Sequence, residues 1–122
     1  MSSVPQSKLI TPQEYLAIER QAETKSEYYN GEMFAMAGTS RKHSVIGWNI
    51  GGELYRQFKG RNCEAYLTEM RVKIDATGLY TYPDITVVCG EPQLEDDYLD
   101  TLLNPTVLFE VLSKSTGALR AI

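Results

Sequence analysis

Apolar residues recur at Ile46, Ile50, Leu54 and Phe58, and Val45 and Trp48 widen the stripe. A spacing of four predicts an amphipathic helix over 44–58, about four turns long. Gly47, Gly51 and Gly52 weaken that helix by roughly 1 kcal/mol each, so their presence predicts close packing against another backbone. Ser40 and Ser44 are both candidate caps, and Gly60 ends the element. A shorter helix is predicted over 12–22. Thr11 stands at its N-cap, Pro12 at its first position and Glu14 at its third, the form of a capping box.

Between the helices, Tyr28-Tyr29 and Met33-Phe34 flank Asn30-Gly31. Such a pair between apolar runs predicts a tight hairpin over 25–38, packed on the first helix. After the long helix, 63–75 reads as one strand whose alternation slips between Leu67 and Met70, the mark of a bulge or bend. A turn at 76–79 leads to a second strand, 80–89, ending in a buried apolar run, with Pro83 near its start. The stretch 90–104 is a polar connection with five acids. A third apolar strand, 106–112, follows, with Glu110 as its one polar member. The order helix, hairpin, helix and three strands predicts an α/β or α+β class. Residues 1–10, rich in Ser, Pro and Gln, read as a mobile N-terminus, and 11–122 as a single domain.

Charge and composition narrow the function. With 122 residues, 43% of them hydrophobic and 23% charged, the chain has ordinary globular content. A net charge of −4 argues against a basic nucleic-acid scaffold but not against a nucleic-acid enzyme, whose clustered carboxylates are offset by bound metal. No apolar run is long enough to span a membrane, and the start carries no basic segment followed by an apolar one. Cytoplasmic residence is the expectation. Cys63 and Cys89 are then expected to be reduced, buried thiols, and without a neighbouring histidine they make no zinc site.

Two acids stand inside apolar strands: Asp84 in YPDITVV and Glu110 in VLFEVLS. A carboxylate in such a place is costly unless it is paired, protonated or bound to metal. Two on neighbouring strands repel each other, and a divalent cation resolves the conflict. Oxygen donors suit Mg2+ or Mn2+. The alternative is that both acids lie in water at strand ends or pair with Arg71 or Lys73. The residues alone leave these two readings evenly matched.

The stretches TPQEYLAIE, KSEYYNGEMFAMAG, the His43 that opens the long helix, YTYPDITVVCGEP and DTLLNPTVLFEVLSKST occur here in one order. Together they resemble the Uma-two family of restriction-endonuclease-like proteins, a branch of the PD-(D/E)XK nuclease superfamily. The resemblance runs to about Thr116. It implies a restriction-endonuclease-like mixed sheet flanked by helices, and metal-dependent hydrolysis of phosphodiesters in DNA. Asp84 would be the acid of the first half-motif and Glu110 that of the second, with the backbone carbonyl of Val111 completing the shell of Mg2+ or Mn2+. Glu32, in the Gly-Glu hairpin phrase, either approaches the metal or is a solvated hairpin residue. His43 either orients water or contacts phosphate, or is a helix-start residue bonded to backbone. Glu53 reads as a surface charge.

One departure is a missing cation. The superfamily places a lysine two residues after the second acid, and here that position is Leu112. The resembled family uses a lysine on the following helix instead, whereas this sequence ends in GALRAI, with Lys114 nearby in the turn. The expectation is therefore a C-terminally truncated domain, weak or inactive as an endonuclease. The alternative function is a non-catalytic remnant acting as a binding or oligomerisation module. The strand 106–112 would form an apolar edge and a possible homodimer contact. Arg41, Lys42, Lys59 and Arg61, at the two ends of the long helix, could meet phosphates, or be scattered surface charge.

Overall fold

The computed structural model describes residues 9–112. Helix α1 spans Pro12–Glu19 and has the expected capping box. The Thr11 N–H donates to Glu14 Oε1 at 2.8 Å, and the Glu14 N–H donates to the Thr11 hydroxyl at 3.1 Å. The hairpin follows as β1 (Ser26–Tyr29) and β2 (Glu32–Ala35), paired from Ser26 opposite Ala35 to Tyr29 opposite Glu32. Asn30 (φ 53°) and Gly31 (φ 89°) take the left-handed conformations that a two-residue turn of this hand needs. The hairpin packs on α1 through Tyr15, Leu16, Tyr28 and Met33, with Tyr80 beneath. Residues 1–8 of the segment expected to be mobile lie outside the described residues. Ile10 is tied to the hairpin: its N–H donates to the Gly31 carbonyl at 2.9 Å, and its carbonyl accepts from the Tyr28 hydroxyl at 2.6 Å.

The long helix, α2, spans Arg41–Phe58, starting three residues before the expected 44. Ser40 is its cap, accepting the His43 N–H at 3.1 Å. The half-buried positions of α2 are His43, Gly47, Ile50, Gly51, Leu54 and Phe58, and none of its residues is fully buried. The helix therefore leans on the sheet by one narrow stripe. A Cβ placed on Gly47 or Gly52 would meet nothing within 4 Å, and one on Gly51 would meet only Leu67, at 4.0 Å. Among the described residues, the close backbone packing expected of these glycines is not there.

The remaining strands depart from the expected three. The expected strand 63–75 is two, β3 (Cys63–Leu67) and β4 (Arg71–Ile74), joined by a turn at the slip in alternation. The expected strand 80–89 is also two, β5 (Leu79–Thr81) and β6 (Ile85–Cys89), interrupted at Tyr82-Pro83-Asp84. Pro83 has no N–H to give a ladder, so pairing stops there. Within the polar connection lies a short strand, β7 (Thr101–Leu102), and β8 is Val107–Phe109. Each break sends the chain from one sheet to the other. One sheet has the order β2-β1-β5-β4-β7, the other β3-β6-β8. All pairings are antiparallel except β4 with β7, so the larger sheet is mixed. The class is α+β. Val72, Val88 and Leu102 form the buried cluster that joins the sheets.

Antiparallel pairing of β3 with β6 sets Cys63 opposite Cys89, with Cα atoms 3.9 Å apart, and the two are joined as a disulfide. The expectation of reduced, buried thiols fails on both counts. Direct cross-strand placement puts the sulfurs within bonding reach, and Cys89 is exposed.

Candidate functional site

The break at 82–84 places Asp84 just before β6, and β6 pairs with β8 with Ile85 opposite Phe109. Asp84 and Glu110 are the next residues outward on the two strands, so they meet at the same end of the smaller sheet. The Asp84 carboxylate is fixed by two donors. His43 Nε2 lies 2.7 Å from Oδ1, and the Val111 N–H donates to Oδ2 at 2.6 Å. Asp84 and His43 are 18% and 27% exposed, so the pair is reachable from solvent but largely shielded.

Burial, together with the charge of Asp84 and a hydrogen bond to it, pushes the Glu110 carboxyl up to about 7, and His43 acts weakly in the opposite sense. Two carboxyls this close hold a proton between them more readily than two negative charges.

Arg71 and Lys73, offered by the sequence as alternative partners, are engaged elsewhere. Arg71 donates to Thr101 Oγ1 at 2.8 Å and to the Tyr82 hydroxyl at 3.0 Å, and its Nη2 lies 2.8 Å from Asp100. Lys73 reaches Glu95 at 3.9 Å. Asp100 also receives Arg20, at 2.9 Å and 2.8 Å. Glu19 accepts the Tyr82 hydroxyl at 2.7 Å and the Ser26 N–H at 2.8 Å. This buried network anchors the end of α1 to the chain leading into Asp84. Sequence reading missed it, having placed Asp100 only among the five acids of the polar connection 90–104. The sequence carried only a weak signal of it, since Arg71 and Lys73 simply alternate with Val72 and Ile74.

The structure therefore brings together His43, Asp84, Glu110 and the Val111 backbone. It does not bring Glu32 to them. That residue is exposed at the start of β2, the outermost strand of the other sheet. Glu53 is exposed and bonded to Arg56 and Gln57. Leu112, at the usual lysine position, is 55% exposed, and Lys114 lies outside the described residues. Among the described residues no group of three or more His, Cys, Asp and Glu side chains is arranged to hold a metal ion. The donor chemistry of the pair nevertheless fits a hard divalent cation. Two adjacent carboxylates supply oxygen, and their mutual repulsion is what such a cation relieves.

The sequence profile of a family described as "Putative restriction endonuclease", Uma2, matches residues 12–121. The chain belongs to the Uma2 family. Among similar proteins, the uncharacterized protein sll1609 of Synechocystis sp. is 36% identical over 117 residues, 96% of this chain and 66% of that protein. The uncharacterized protein slr1290 of the same organism is 35% identical over 116 residues, 95% of this chain and 60% of that protein. In structure the chain is similar to a protein of Anabaena variabilis described as a "putative nuclease belonging to DUF820". The TM-score is 0.69 at 24% identity, covering 89% of this chain and 62% of the other. The likeness establishes the fold, an α+β architecture. The chain thus spans a little under two thirds of the proteins it matches. No helix among the described residues is long and apolar enough to cross a membrane.

Proposed function

We propose that this Uma2 chain forms the acidic half of a metal-dependent DNA endonuclease site, in which Asp84, Glu110 and the Val111 carbonyl hold Mg2+ or Mn2+. The observation that carries the reading is the meeting of Asp84 and Glu110 at one end of β6 and β8, with Glu110 raised to about 7. When bound, the metal would supply a Lewis acid that lowers the pKa of a water and stabilises charge on the scissile phosphate. The chain's own residues do the positioning. The Val111 N–H and His43 fix the Asp84 carboxylate in one orientation, and Glu110, once deprotonated, would be the second carboxylate holding the cation. His43, at the start of α2 between the site and solvent, can hold a water or a phosphate oxygen once it gives up Asp84. Arg41 and Lys42 beside it are exposed and suit contacts to the DNA backbone. A DNA substrate argues for a cytoplasmic setting, and the Cys63–Cys89 disulfide argues against a reducing one.

A second reading is that the site binds metal without cutting, as a non-catalytic module. Leu112 favours it, because loss of one positioned transition-state donor costs on the order of a hundredfold to a thousandfold in rate.

Thermal melts with and without Mn2+, run beside a plasmid-nicking assay, test both readings. In chelator, Asp84→Asn should melt within a few degrees of the parent, since the lost acceptor strength is offset by relief of repulsion. Mn2+ should stabilise the parent and leave Asp84→Asn unmoved. Equal stabilisation of both would remove Asp84 from the metal site. Nicking by the parent that is lost in Glu110→Ala supports the endonuclease. Metal-dependent stabilisation without nicking supports the binding module.

A further inference from the structure

The smaller sheet carries a covalent tie that the buried cores do not use. Strand β3 is an edge of that sheet and, among the described residues, pairs only with β6. No residue of α2 or β3 is fully buried. Besides the narrow stripe of α2 and the half-buried Tyr66, this helix and strand are held by the ladder to β6, the His43–Asp84 contact and the Cys63–Cys89 bridge. His43 stands at the start of α2, and Cys63 stands where the chain has left α2 for β3, so the two contacts tie opposite ends of the unit. Strand β6 depends on the bridge less. On its other side the Cys89 N–H donates to Thr106 Oγ1 at 2.9 Å, and the Val87 carbonyl accepts the Thr106 N–H at 2.7 Å. Its residues from Ile85 to Val88 are buried. Both cysteines are within reach of solvent. Cys89 is exposed, and Cys63 lines the open, mostly apolar groove between α2 and β3, together with Lys59.

We propose that the Cys63–Cys89 bridge is a redox site, opened by a dithiol reductant and closed by oxidation, whose opening frees β3 and the C-terminal end of α2 while the larger sheet stays folded. Exposed bridges are the ones that exchange with thiols, whereas structural bridges resist reduction. A thiolate of the reductant attacks the exposed Cys89 sulfur. The S–S bond breaks, and its electron pair leaves on the Cys63 sulfur. Lys59 in the same groove, and Arg61 two residues before Cys63 in sequence, favour that thiolate. The second thiol of the reductant then attacks the mixed disulfide, releases the Cys89 thiol and departs as the reductant's own disulfide. Two electrons and two protons pass from the dithiol to the protein. In a reducing compartment such a bridge is transient, as redox-sensing bridges are. In an oxidising one it stays closed. Once it opens, β3 keeps an edge ladder with no fully buried side chain. The bridge closes a loop with a sequence separation of 26. Losing a closure of that size shifts an opening equilibrium on the order of a hundredfold.

The full chain is purified without reductant and then treated with dithiothreitol near neutral pH, with no denaturant. Alkylation followed by mass measurement counts the free thiols, and amide exchange is followed at β3, β4 and β5. Expected are no free thiol before treatment and two after it. Amides of β3 should then exchange about a hundredfold faster, while β4 and β5 stay protected at short times and the melt stays cooperative. Reoxidation with glutathione disulfide should restore slow exchange. The double variant Cys63→Ser, Cys89→Ser should match the reduced chain with or without dithiothreitol, which separates loss of the bridge from any other effect of the reductant. Two free thiols in the untreated, air-equilibrated chain overturn the proposal. So does a bridge that is reduced only after unfolding, or one that joins two chains. A reduced chain whose β3 exchanges as slowly as in the bridged one overturns it too, as does a reduced chain or double variant that loses its cooperative melt. None of these readouts involves metal or cutting, so they stand apart from the test of the endonuclease reading.

Discussion

The two helices of this protein use their sheets in opposite ways. Helix α1 has only eight residues, yet it buries Tyr15, Leu16 and Glu19 and locks them into the larger sheet. Tyr15, Tyr28 and Tyr80 contact one another with ring centroids 5.0 to 5.8 Å apart. Burial holds the Tyr15 and Tyr80 hydroxyls well above the usual tyrosine range, while each still finds an acceptor, Ser26 O at 2.7 Å and Glu95 at 2.7 Å. Helix α2 has 18 residues and buries none of them completely. One half of the molecule is a dry aromatic core stitched with polar bonds. The other half holds Asp84, Glu110 and His43 half-buried at one sheet end and leaves the apolar groove of α2 exposed. The comparison shows where stability is stored and where surface is left available for binding.

The sharpest way to break that comparison is to hollow out the aromatic core. Tyr80→Ala removes a fully buried ring that touches both Tyr15 and Tyr28. Large-to-small changes of this kind cost about 3–5 kcal/mol, a large share of the stability of a chain this size. Chemical denaturation should show that loss. A loss under 1 kcal/mol would mean that the larger sheet does not carry the fold.

Acid probes the network that ties the halves together. Arg20, with help from Arg71, holds the Asp100 carboxyl down to about 2 from its ordinary 3.8. A depressed carboxylate stabilises the fold at pH values above its unfolded pKa. That contribution is lost as pH falls from about 4 to about 2. Asp100 is 36% exposed, and solvent screening limits the contribution to about 1 kcal/mol or less. Urea midpoints measured between pH 5 and pH 2 should fall for the parent and fall less for Asp100→Asn. Parallel curves would show that the network contributes nothing through Asp100.

The smallest effect is expected on α2. Trp48→Ser replaces the largest side chain in the protein at a site with almost no contacts, and exposed substitutions of this kind stay within about 0.5 kcal/mol. The measurement is made at high dilution, so that association does not enter. A loss comparable to that of Tyr80→Ala would mean that α2 belongs to the core after all, and the contrast between the helices would fail.

Much was legible in the residues because it is local. Thr11, Pro12 and Glu14 announce the start of α1, since a capping box is settled within four positions. Asn30-Gly31 announces the hairpin, because only certain residues take two left-handed conformations in succession cheaply. The period of α2 was legible too, but not how little of its stripe would be covered. The acids Asp84 and Glu110 stood out as charges in apolar strands, though nothing along the chain showed that the Val111 N–H and His43 would clasp one of them.

Pattern and chemistry along the chain determined the helices, the hairpin turn and the identity of the two acids, because each depends on neighbours a few residues away. Only the tertiary structure decided that 63–75 and 80–89 each divide between two sheets, that Cys63 faces Cys89, and that Arg71 serves Asp100 rather than Asp84. Those outcomes depend on which strands pair and in what register. Pairing is fixed by burying Val72, Val88 and Leu102 together across long stretches of sequence, and no local period records it.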